Sequence, residues 1–171
     1  QKAQKQINAL LRSGNASPRE LVFWYKGLIT ASAEVEAFRV KFIDSVLQPQ
    51  LTELIEQLGQ TSRTSLLESL RLNYRAKRFD GDVDSESDIN HQIQKDMRYK
   101  QVGFGPSKAD IQFVQGSTDM TSMLSRGQSK MLFYLLEVAI VKIVKKLSNK
   151  NMLLLIDDLP SEVDEVTRDT M

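Results

Sequence analysis

Apolar residues recur at alternating steps of three and four between residues 21 and 42, which is the spacing of side chains on one face of an α-helix. Seven positions share this register: Leu21, Trp24, Leu28, Ala31, Val35, Phe38 and Phe42. Ser17-Pro18-Arg19-Glu20 precedes them and has the composition of a helix start with a capping box. The pattern predicts a long amphipathic helix over about residues 18–48 that buries this stripe in a core, with a bend or restart at Pro49.

Shorter patterns predict the other elements of the first hundred residues. Alternation of apolar and polar residues predicts a strand near 70–75. Helical spacing predicts a short helix over 51–58 and another over 88–98. Residues 80–88 are acidic and short of apolar groups. They lack the glycine and glutamate spacing of an EF-hand, so a solvated loop is expected there rather than a calcium site.

The second part of the chain has three further patterns. Residues 109–114 alternate and predict a strand, and residues 129–147 form a helix that is apolar nearly all round and is therefore expected to be central to its domain. The run 152–156 consists of large apolar residues and ends in Asp157 and Asp158. Such a run is typical of a fully buried parallel strand whose carboxyl end opens on a ligand crevice. A mixed α/β fold class follows from these elements.

Composition narrows the chemistry. The 171 residues are 41% hydrophobic and 26% charged, with no cysteine, one histidine and a formal net charge of +1. A disulfide framework and a thiolate or histidine zinc site are therefore not expected. The apolar runs are far shorter than a membrane span needs, so a cytoplasmic protein without membrane contact is expected. Net charge alone does not indicate a nucleic-acid binder.

The chain lacks a glycine-rich phosphate loop of the Gly-x-x-x-x-Gly-Lys-Ser/Thr type. It also begins without methionine and ends at Met171, shortly after its last acidic motif. We therefore expect a fragment that binds ATP poorly by itself.

Three motifs carry a resemblance to a known family. Leu-Ser-Arg-Gly-Gln at 124–128 resembles the signature loop of ATP-binding-cassette ATPases, residues 155–158 resemble their Walker B motif, and residues 161–164 resemble their D-loop. Arg126 stands where transporters usually have glycine, and Asp158 where most of the superfamily has glutamate. Both departures match the RecF family of bacterial recombination mediators. Gly-Pro-Ser-Lys-Ala-Asp at 105–110 is similar to another RecF element, although Ser107 replaces a histidine.

The resemblance implies a fold and a set of sites. The fold would be a partial ATPase head, P-loop NTPase-like, with a helical arm: residues 1–100 a helical lobe, and residues 101–171 the C-terminal part of the head. Asp158 would be catalytic by polarising the attacking water, and Asp157 would bind Mg²⁺ together with ATP. The signature loop would contact ATP held by a second copy, through Ser125, Arg126, Gly127 and Gln128. Ser161 and Asp164 would belong to a D-loop at the partner interface.

The resemblance also implies an activity and partners. The complete protein would be a slow ATPase that pairs as an ATP-dependent homodimer, binds DNA at single-strand gaps or at junctions of single and double strands, cooperates with RecR and helps to load a recombinase. A basic cluster provides candidate DNA contacts: Arg71, Arg75, Lys77 and Arg78. A solvated strand edge blunted by charge explains the same cluster equally well.

Alternatives remain open at this point. Ser125, Asp158 and Asp164 could be no more than helix or turn caps. An SMC-like ATPase, a transporter ATPase and a non-enzymatic scaffold are the competing functions. The helical arm of about 40 residues is short for the antiparallel coiled coil of SMC proteins, and transporter subunits lack such an arm in this place.

Overall fold

A computed structural model describes residues 2–58, 65–148 and 150–155. Six α-helices, one π-helix and three strands follow one another in this part of the chain. In order they are α1 (Lys2–Ser13), α2 (Pro18–Phe42), the π-helix (Ile43–Leu47), α3 (Gln48–Gln57), α4 (Ser65–Glu68), β1 (Arg71–Arg75), α5 (Glu86–Tyr99), β2 (Asp110–Gln115), β3 (Thr118–Asp119) and α6 (Arg126–Ser148). None of the helices described combines the length and hydrophobicity that a membrane span requires.

Helix α2 begins as its sequence predicts. The backbone N–H of Glu20 donates to Ser17 Oγ at 3.1 Å, and the N–H of Leu21 donates to the Ser17 carbonyl at the same distance. Pro18 occupies the first helical position, where its missing N–H leaves no intrahelical hydrogen bond unmade. Local sequence chemistry therefore determines this end of the helix.

Before Pro49, where a bend or restart is predicted, the chain forms a π-helical turn. Gln48 donates its N–H to the carbonyl of Ile43, five residues earlier, and α3 continues without interruption. A proline ring inside an α-helix clashes with the carbonyl four residues before it, here that of Ser45. A wider turn relieves this crowding, so the helical path continues through the proline instead of ending there.

The buried face of α2 agrees with the predicted stripe at Leu21 and Leu28 and departs from it in the second half of the helix. Val35 and Phe38 are 41% and 69% exposed, and Ala31 is exposed as well. The side chains that face the interior are Leu21, Tyr25, Leu28, Ser32 and Glu36. In the second half of the helix the prediction is therefore wrong: a neighbouring face, with Ser32 and Glu36, is buried there instead.

Contacts divide the chain into two compact units, each discontinuous in sequence. Unit 1 comprises residues 1–39 and 74–110, and unit 2 comprises residues 40–73 and 111–171. The predicted division at residue 100 was based on the position of the sequence motifs, and it differs from the division into these two compact units. The assignment of residues 101–171 to an ATPase head stays a prediction.

One hydrophobic cluster forms the core of unit 1. It joins α1, α2, α5 and the segment that follows α5. Its buried members are Ile7, Leu11, Leu21, Tyr25, Leu28, Ile89, Ile93, Val102 and Phe104. The aromatic rings of Tyr25 and Phe79 both pack against Phe104, with centroids 5.9 and 5.7 Å away.

Unit 2 contains α3, the π-helix and α6, which pack together. The described strands form a sheet in the order β1-β2-β3. Strands β2 and β3 form an antiparallel hairpin, in which Val114 lies opposite Asp119 and Gln115 opposite Thr118. Gly116 lies in the connecting turn with a φ of +59°, a left-handed conformation that glycine adopts without strain.

Two predictions for the second half of the chain are wrong. Helix α6 is not buried all round: Phe133 is 59% exposed and Leu147 77%. Residues 152–155, which precede Asp157 and Asp158, do not form the predicted buried strand. They have no regular structure, and Leu153 and Leu155 are 83% and 84% exposed. An apolar segment is buried only where other elements cover each of its faces, and in the described part of unit 2 α6 packs mainly against α3 and the π-helix.

Candidate nucleotide-contacting loop

The predicted signature loop forms the amino terminus of α6. The N–H of Gln128 donates to Ser125 Oγ at 3.2 Å, and the N–H of Ser125 donates to Gln128 Oε1 at 3.0 Å. The carbonyl of Ser125 accepts the N–H of Ser129 at 2.9 Å, which begins the helical ladder. These reciprocal bonds are a complete capping box. Ser125 and Gln128 therefore have a structural role whatever else they do.

The loop is positioned by the hairpin that precedes it. Met120 is buried and donates its N–H to the carbonyl of Phe113 at 2.8 Å. Its own carbonyl accepts the N–H groups of Met123 and Leu124 at 2.9 and 3.2 Å, which closes a turn directly before the loop. The sheet edge thus fixes where α6 begins.

The capping box leaves two backbone donors for an outside group. In the first turn of a helix the N–H groups have no intrahelical acceptors. The cap bonds the N–H groups of Ser125 and Gln128, whereas those of Arg126 and Gly127 lie in the first turn, where no intrahelical acceptor is available. An anion at this point would also be stabilised by the positive end of the helix dipole.

Exposure of the loop permits a second molecule to approach. Ser125, Arg126 and Gly127 are exposed, and Gln128 is half-buried. A Cβ added at Gly127 would meet no atom within 4 Å. This glycine is therefore not required by packing in the described part of the chain, and an approaching oxygen could reach its backbone closely. The loop fits a phosphate group of a nucleotide on these grounds.

The acidic motifs lie outside the described residues. They are the predicted Mg²⁺ ligand Asp157, the predicted catalytic Asp158, and the D-loop residues Ser161 and Asp164. Within the described part of the chain, no group of three or more histidine or acidic side chains could hold a metal ion. The roles of these four residues stay predictions.

The basic cluster is divided by its structural partners. Arg78 Nε lies 2.8 Å from Glu36 Oε2 and forms an ion pair with it. Arg71 donates to the carbonyls of Leu70 and Glu68 at 3.0 and 3.4 Å and belongs to unit 2, unlike the other three basic residues. Arg75 and Lys77 are exposed. Arg78 thus has a structural task that the sequence did not indicate, and DNA contact by the cluster stays a prediction.

The Gly-Pro-Ser-Lys-Ala-Asp element forms a tight turn in unit 1. Gly105 has a φ of +100° and donates its N–H to the Lys77 carbonyl at 2.7 Å. The carbonyl of Pro106 accepts a 2.6 Å hydrogen bond from Arg39 Nη1. Ser107 Oγ is hydrogen-bonded to the side-chain amide of Gln4. The element therefore joins α1, α2 and the segment after β1.

A buried polar pair in unit 1 escaped the sequence analysis. Tyr25 donates its hydroxyl to Asp96 Oδ2, and Asp96 Oδ1 accepts hydrogen bonds from the Gly103 N–H at 3.1 Å and from Gln92 Nε2 at 2.9 Å. Burial raises the pKa of the Asp96 carboxyl, and these three hydrogen bonds oppose that effect. Burial also raises the pKa of the Tyr25 hydroxyl, and the charge of Asp96 adds to that effect.

Ser32 and Glu36 were missed as well, although their spacing contains a signal. Together with Leu21, Tyr25 and Leu28 they continue a second register of steps of three and four along α2. A polar residue in an otherwise apolar register indicates either a solvated face or a buried polar site, and the sequence alone does not separate the two.

Comparison of sequences relates the chain to RecF proteins. It is 32% identical over 171 residues to the DNA replication and repair protein RecF of Pseudomonas fluorescens, 31% over 168 residues to that of Pseudomonas syringae pv. syringae, and 30% over 171 residues to that of Pseudomonas putida. These alignments cover 96–98% of the chain. The chain spans only 43–44% of the length of these relatives. No protein-family model matches the chain.

Comparison of structures gives the same relation for the fold. Two solved structures of the recombination mediator protein RecF in the RecFOR pathway, RecF-ATPrS and RecF-ATP, match 99% of the chain with a TM-score of 0.69. Their sequences are 17% and 16% identical to it, and the match covers 48% of each. The mixed α/β fold expected from the sequence is thereby confirmed.

Proposed function

Because the chain belongs to the RecF family, we propose that it forms part of a DNA-repair ATPase that pairs through bound ATP. The observation that carries the proposal is the exposed, capped amino terminus of α6, where the N–H groups of Arg126 and Gly127 have no intrahelical acceptor. A phosphate group is the chemistry that such a helix end accepts.

The signature loop would act on a nucleotide held by a second copy of the complete protein. The hydroxyl hydrogen of Ser125 is available for a phosphate oxygen even while Ser125 Oγ accepts the N–H of Gln128. The N–H groups of Arg126 and Gly127 would donate to the same phosphate, and the Gln128 side chain would lie near the nucleotide. The loop would thus complete a sandwich whose other half is the phosphate loop of the partner.

The acidic motifs would carry out the chemistry. Side chains of adjacent residues at the end of a strand point to opposite sides, so on the strand end that the sequence predicts Asp157 and Asp158 would serve different groups. Asp157 would help to hold Mg²⁺, which neutralises phosphate charge when bound. Asp158 would orient and polarise the attacking water. Aspartate is one methylene shorter than the usual glutamate, so slow hydrolysis is proposed. Ser161 and Asp164 would face the partner copy.

The wider role follows from the same family relation. Pairing of two copies would clamp DNA near a single-strand gap, hydrolysis would release it, and RecR would be a protein partner during recombinase loading. The proposed DNA contacts are Arg71, Arg75, Lys77 and Arg78. Of these, Arg78 is also paired with Glu36, and Arg71 is hydrogen-bonded to backbone carbonyls. A protein with this role would act in the cytoplasm.

The decisive experiment measures ATP-dependent pairing of the complete protein. Ser125→Asp keeps an efficient helix cap but places a carboxylate where the phosphate would lie. Analytical ultracentrifugation with and without ATP should show that the unchanged protein pairs with ATP and that the variant does not. Ser17→Asp makes the same change at the cap of α2 and should leave pairing intact. Normal ATP-dependent pairing of Ser125→Asp would refute the proposed role of the loop.

A further inference from the structure

Helix α2 buries polar side chains although apolar ones are available on the neighbouring face. Ser32 and Glu36 are 6% and 2% exposed, whereas Val35 and Phe38 are 41% and 69% exposed. Burying a hydroxyl and a carboxylate in preference to two apolar groups costs free energy unless the polar groups find hydrogen-bond partners. A position where the local pattern and the fold disagree is where a functional site is expected.

Neither side chain is satisfied within the described part of the chain. Ser32 Oγ and Glu36 Oε1 have no hydrogen-bond partner there. The other carboxylate oxygen, Glu36 Oε2, accepts the Nε of Arg78 at 2.8 Å. Native structures satisfy the large majority of buried polar atoms. The open acceptor Glu36 Oε1 is therefore a place where a ligand could donate a hydrogen bond.

Both side chains line one cavity of about 450 Å³ in unit 1. They stand one helical turn apart on α2, so their polar groups lie along the same wall. The remaining walls are mostly apolar and include Ile29, Phe79, Val83 and Phe104. This combination of a small number of polar groups with apolar and aromatic walls is typical of small-molecule sites.

The segment that closes the cavity is held in place by local contacts. The N–H of Asp82 donates to Asp88 Oδ2 at 3.0 Å, and Asp82 Oδ1 accepts the N–H of Asp84 at 2.9 Å. A Cβ at Gly81 would come within 2.8 Å of the Phe79 ring and 2.9 Å of the Asp88 Cβ, so only glycine fits there. The cavity wall is thus organised before any ligand arrives.

The charges around the cavity define the ligand. Two carboxylates, of Glu36 and Asp82, and one guanidinium, of Arg78, line it. This balance disfavours an anion and favours a neutral or cationic group. Glu36 Oε1 can only accept hydrogen bonds when ionised, so the ligand must bring an N–H or O–H donor. Ser32 Oγ can accept a second hydrogen bond from the same ligand.

We propose that the Ser32–Glu36 cavity binds an amidine or guanidinium group carried on an apolar body, with its N–H groups donated to Glu36 Oε1 and Ser32 Oγ and its apolar part against Phe79 and Phe104. The group can belong to a free small molecule or to an arginine side chain of a partner protein. The site is independent of the signature loop and of the proposed ATPase activity.

Benzamidine is a suitable probe, because it joins an amidinium group to an aromatic ring. Titration of the ¹⁵N-labelled chain, followed by NMR, should shift the amide signals of Phe79, Val83 and Phe104 with a Kd of about 1 mM or tighter. Benzoate, with the same shape and the opposite charge, should not shift them. N-acetyl-arginine amide forms the second arm: preferential binding of this compound would identify the side-chain source, and preferential binding of benzamidine the small-molecule source.

Two variants locate the binding. Glu36→Gln keeps the size of the side chain. If the amide oxygen of the glutamine keeps the hydrogen bond with Arg78, its N–H₂ group faces the ligand. Benzamidine binding should then weaken about tenfold or more. Glu34→Gln, an exposed position on the same helix, should leave binding unchanged. Ser32→Ala should weaken binding and raise the Tm of the ligand-free chain, because it removes an unpaired buried hydroxyl.

The proposal is overturned if benzamidine and N-acetyl-arginine amide both leave the amide signals of the cavity residues unchanged at a ligand concentration of about 10 mM, ten times the expected Kd. It is also overturned if Ser32→Ala lowers the Tm of the ligand-free chain, since water would then be the sufficient partner of the hydroxyl. If Glu36→Gln does not fold, Ala33→Leu replaces it. This change puts a larger apolar side chain on the cavity wall and should block binding while the rest of unit 1 stays folded.

Discussion

The Tyr25 hydroxyl donates a 2.8 Å hydrogen bond to Asp96 Oδ2 between two helices of unit 1, in a place where neither side chain reaches solvent. It is the point at which α2 and α5, 71 residues apart along the chain, recognise each other by a polar contact. Buried polar pairs of this kind contribute modestly to stability when complete and cost more when one partner is removed.

The pair predicts a pH dependence of stability. Because burial raises the pKa of Asp96 in the folded chain, the folded chain binds a proton there more tightly than the unfolded one. This contribution to stability is fully present below the unfolded pKa of about 4 and is lost as pH rises through the folded pKa. Asn does not titrate, so Asp96→Asn should not lose stability in this way. The difference in free energy of unfolding, variant minus unchanged chain, should therefore increase with pH from about pH 4 upward.

Urea denaturation at a series of pH values measures this difference. Asp80→Asn, at an exposed aspartate of the same unit, is the control and should follow the unchanged chain at each pH. A constant difference between Asp96→Asn and the unchanged chain across the series would show that the carboxyl titrates alike in both states.

The caps of α6 and α2 allow stability and pairing to be separated. Ser125→Ala and Ser17→Ala each remove one cap hydrogen bond and should each lower the free energy of unfolding by about 1 kcal/mol. Only the change at Ser125 should also weaken ATP-dependent pairing of the complete protein. Urea denaturation of the chain and ultracentrifugation of the complete protein provide the two measurements. Equal losses of pairing in both variants would mean that stability alone was responsible.

Gly127 provides a test in which folding and function change in opposite directions. Gly127→Ala meets no atom in the described structure and should raise stability by up to about 1 kcal/mol, because alanine favours a helix over glycine. It should nevertheless weaken ATP-dependent pairing, since a methyl group would stand where a phosphate oxygen approaches. Gly27→Ala in α2, another glycine with open space around it, is the control: stability should rise and pairing should persist. Unimpaired pairing of Gly127→Ala would argue against close phosphate contact.

Asp158 allows pairing to be separated from hydrolysis. Asp158→Asn should abolish ATP turnover by the complete protein while leaving ATP-driven pairing intact, because the amide no longer polarises water yet keeps its size. Phosphate release and ultracentrifugation measure the two properties. Ser125→Asp is the matched contrast, since it should lose both. Hydrolysis by Asp158→Asn at the normal rate would exclude this residue as the water-activating group.

Local chemistry could be predicted from the sequence, and the choice of buried face could not. The start of α2 at Ser17 and the capping box at Ser125 depend on residues within four positions of each other, so the sequence contains the whole cause. Which of two adjacent stripes of α2 is covered depends on α1, α5 and the segment around Phe104, which are distant in sequence. Ser32 and Glu36 were therefore missed, while Phe38 was wrongly placed in the core.

Contacts that are distant in sequence also decide the structure of residues 152–155, which precede Asp157 and Asp158. Residues 152–155 have the composition of a buried strand, but a strand forms only where a neighbouring strand supplies its hydrogen bonds. The described strands form the sheet β1-β2-β3 and do not include this run. Composition thus indicated what the segment could become, whereas pairing decided what it is.

The π-helical turn between α2 and α3 has a consequence for comparing this chain with its relatives. Such a turn holds one residue more than the α-helical turn it replaces, so it offsets the side-chain positions after it by about 100° from those before it. The helical periodicity counted from Leu21 therefore does not continue past Leu47. On α3 the buried and exposed faces have to be counted afresh, beginning at Gln48. A relative in which this stretch is wholly α-helical would align correctly only with a one-residue gap there, and counterpart positions on either side of the gap would otherwise be mismatched.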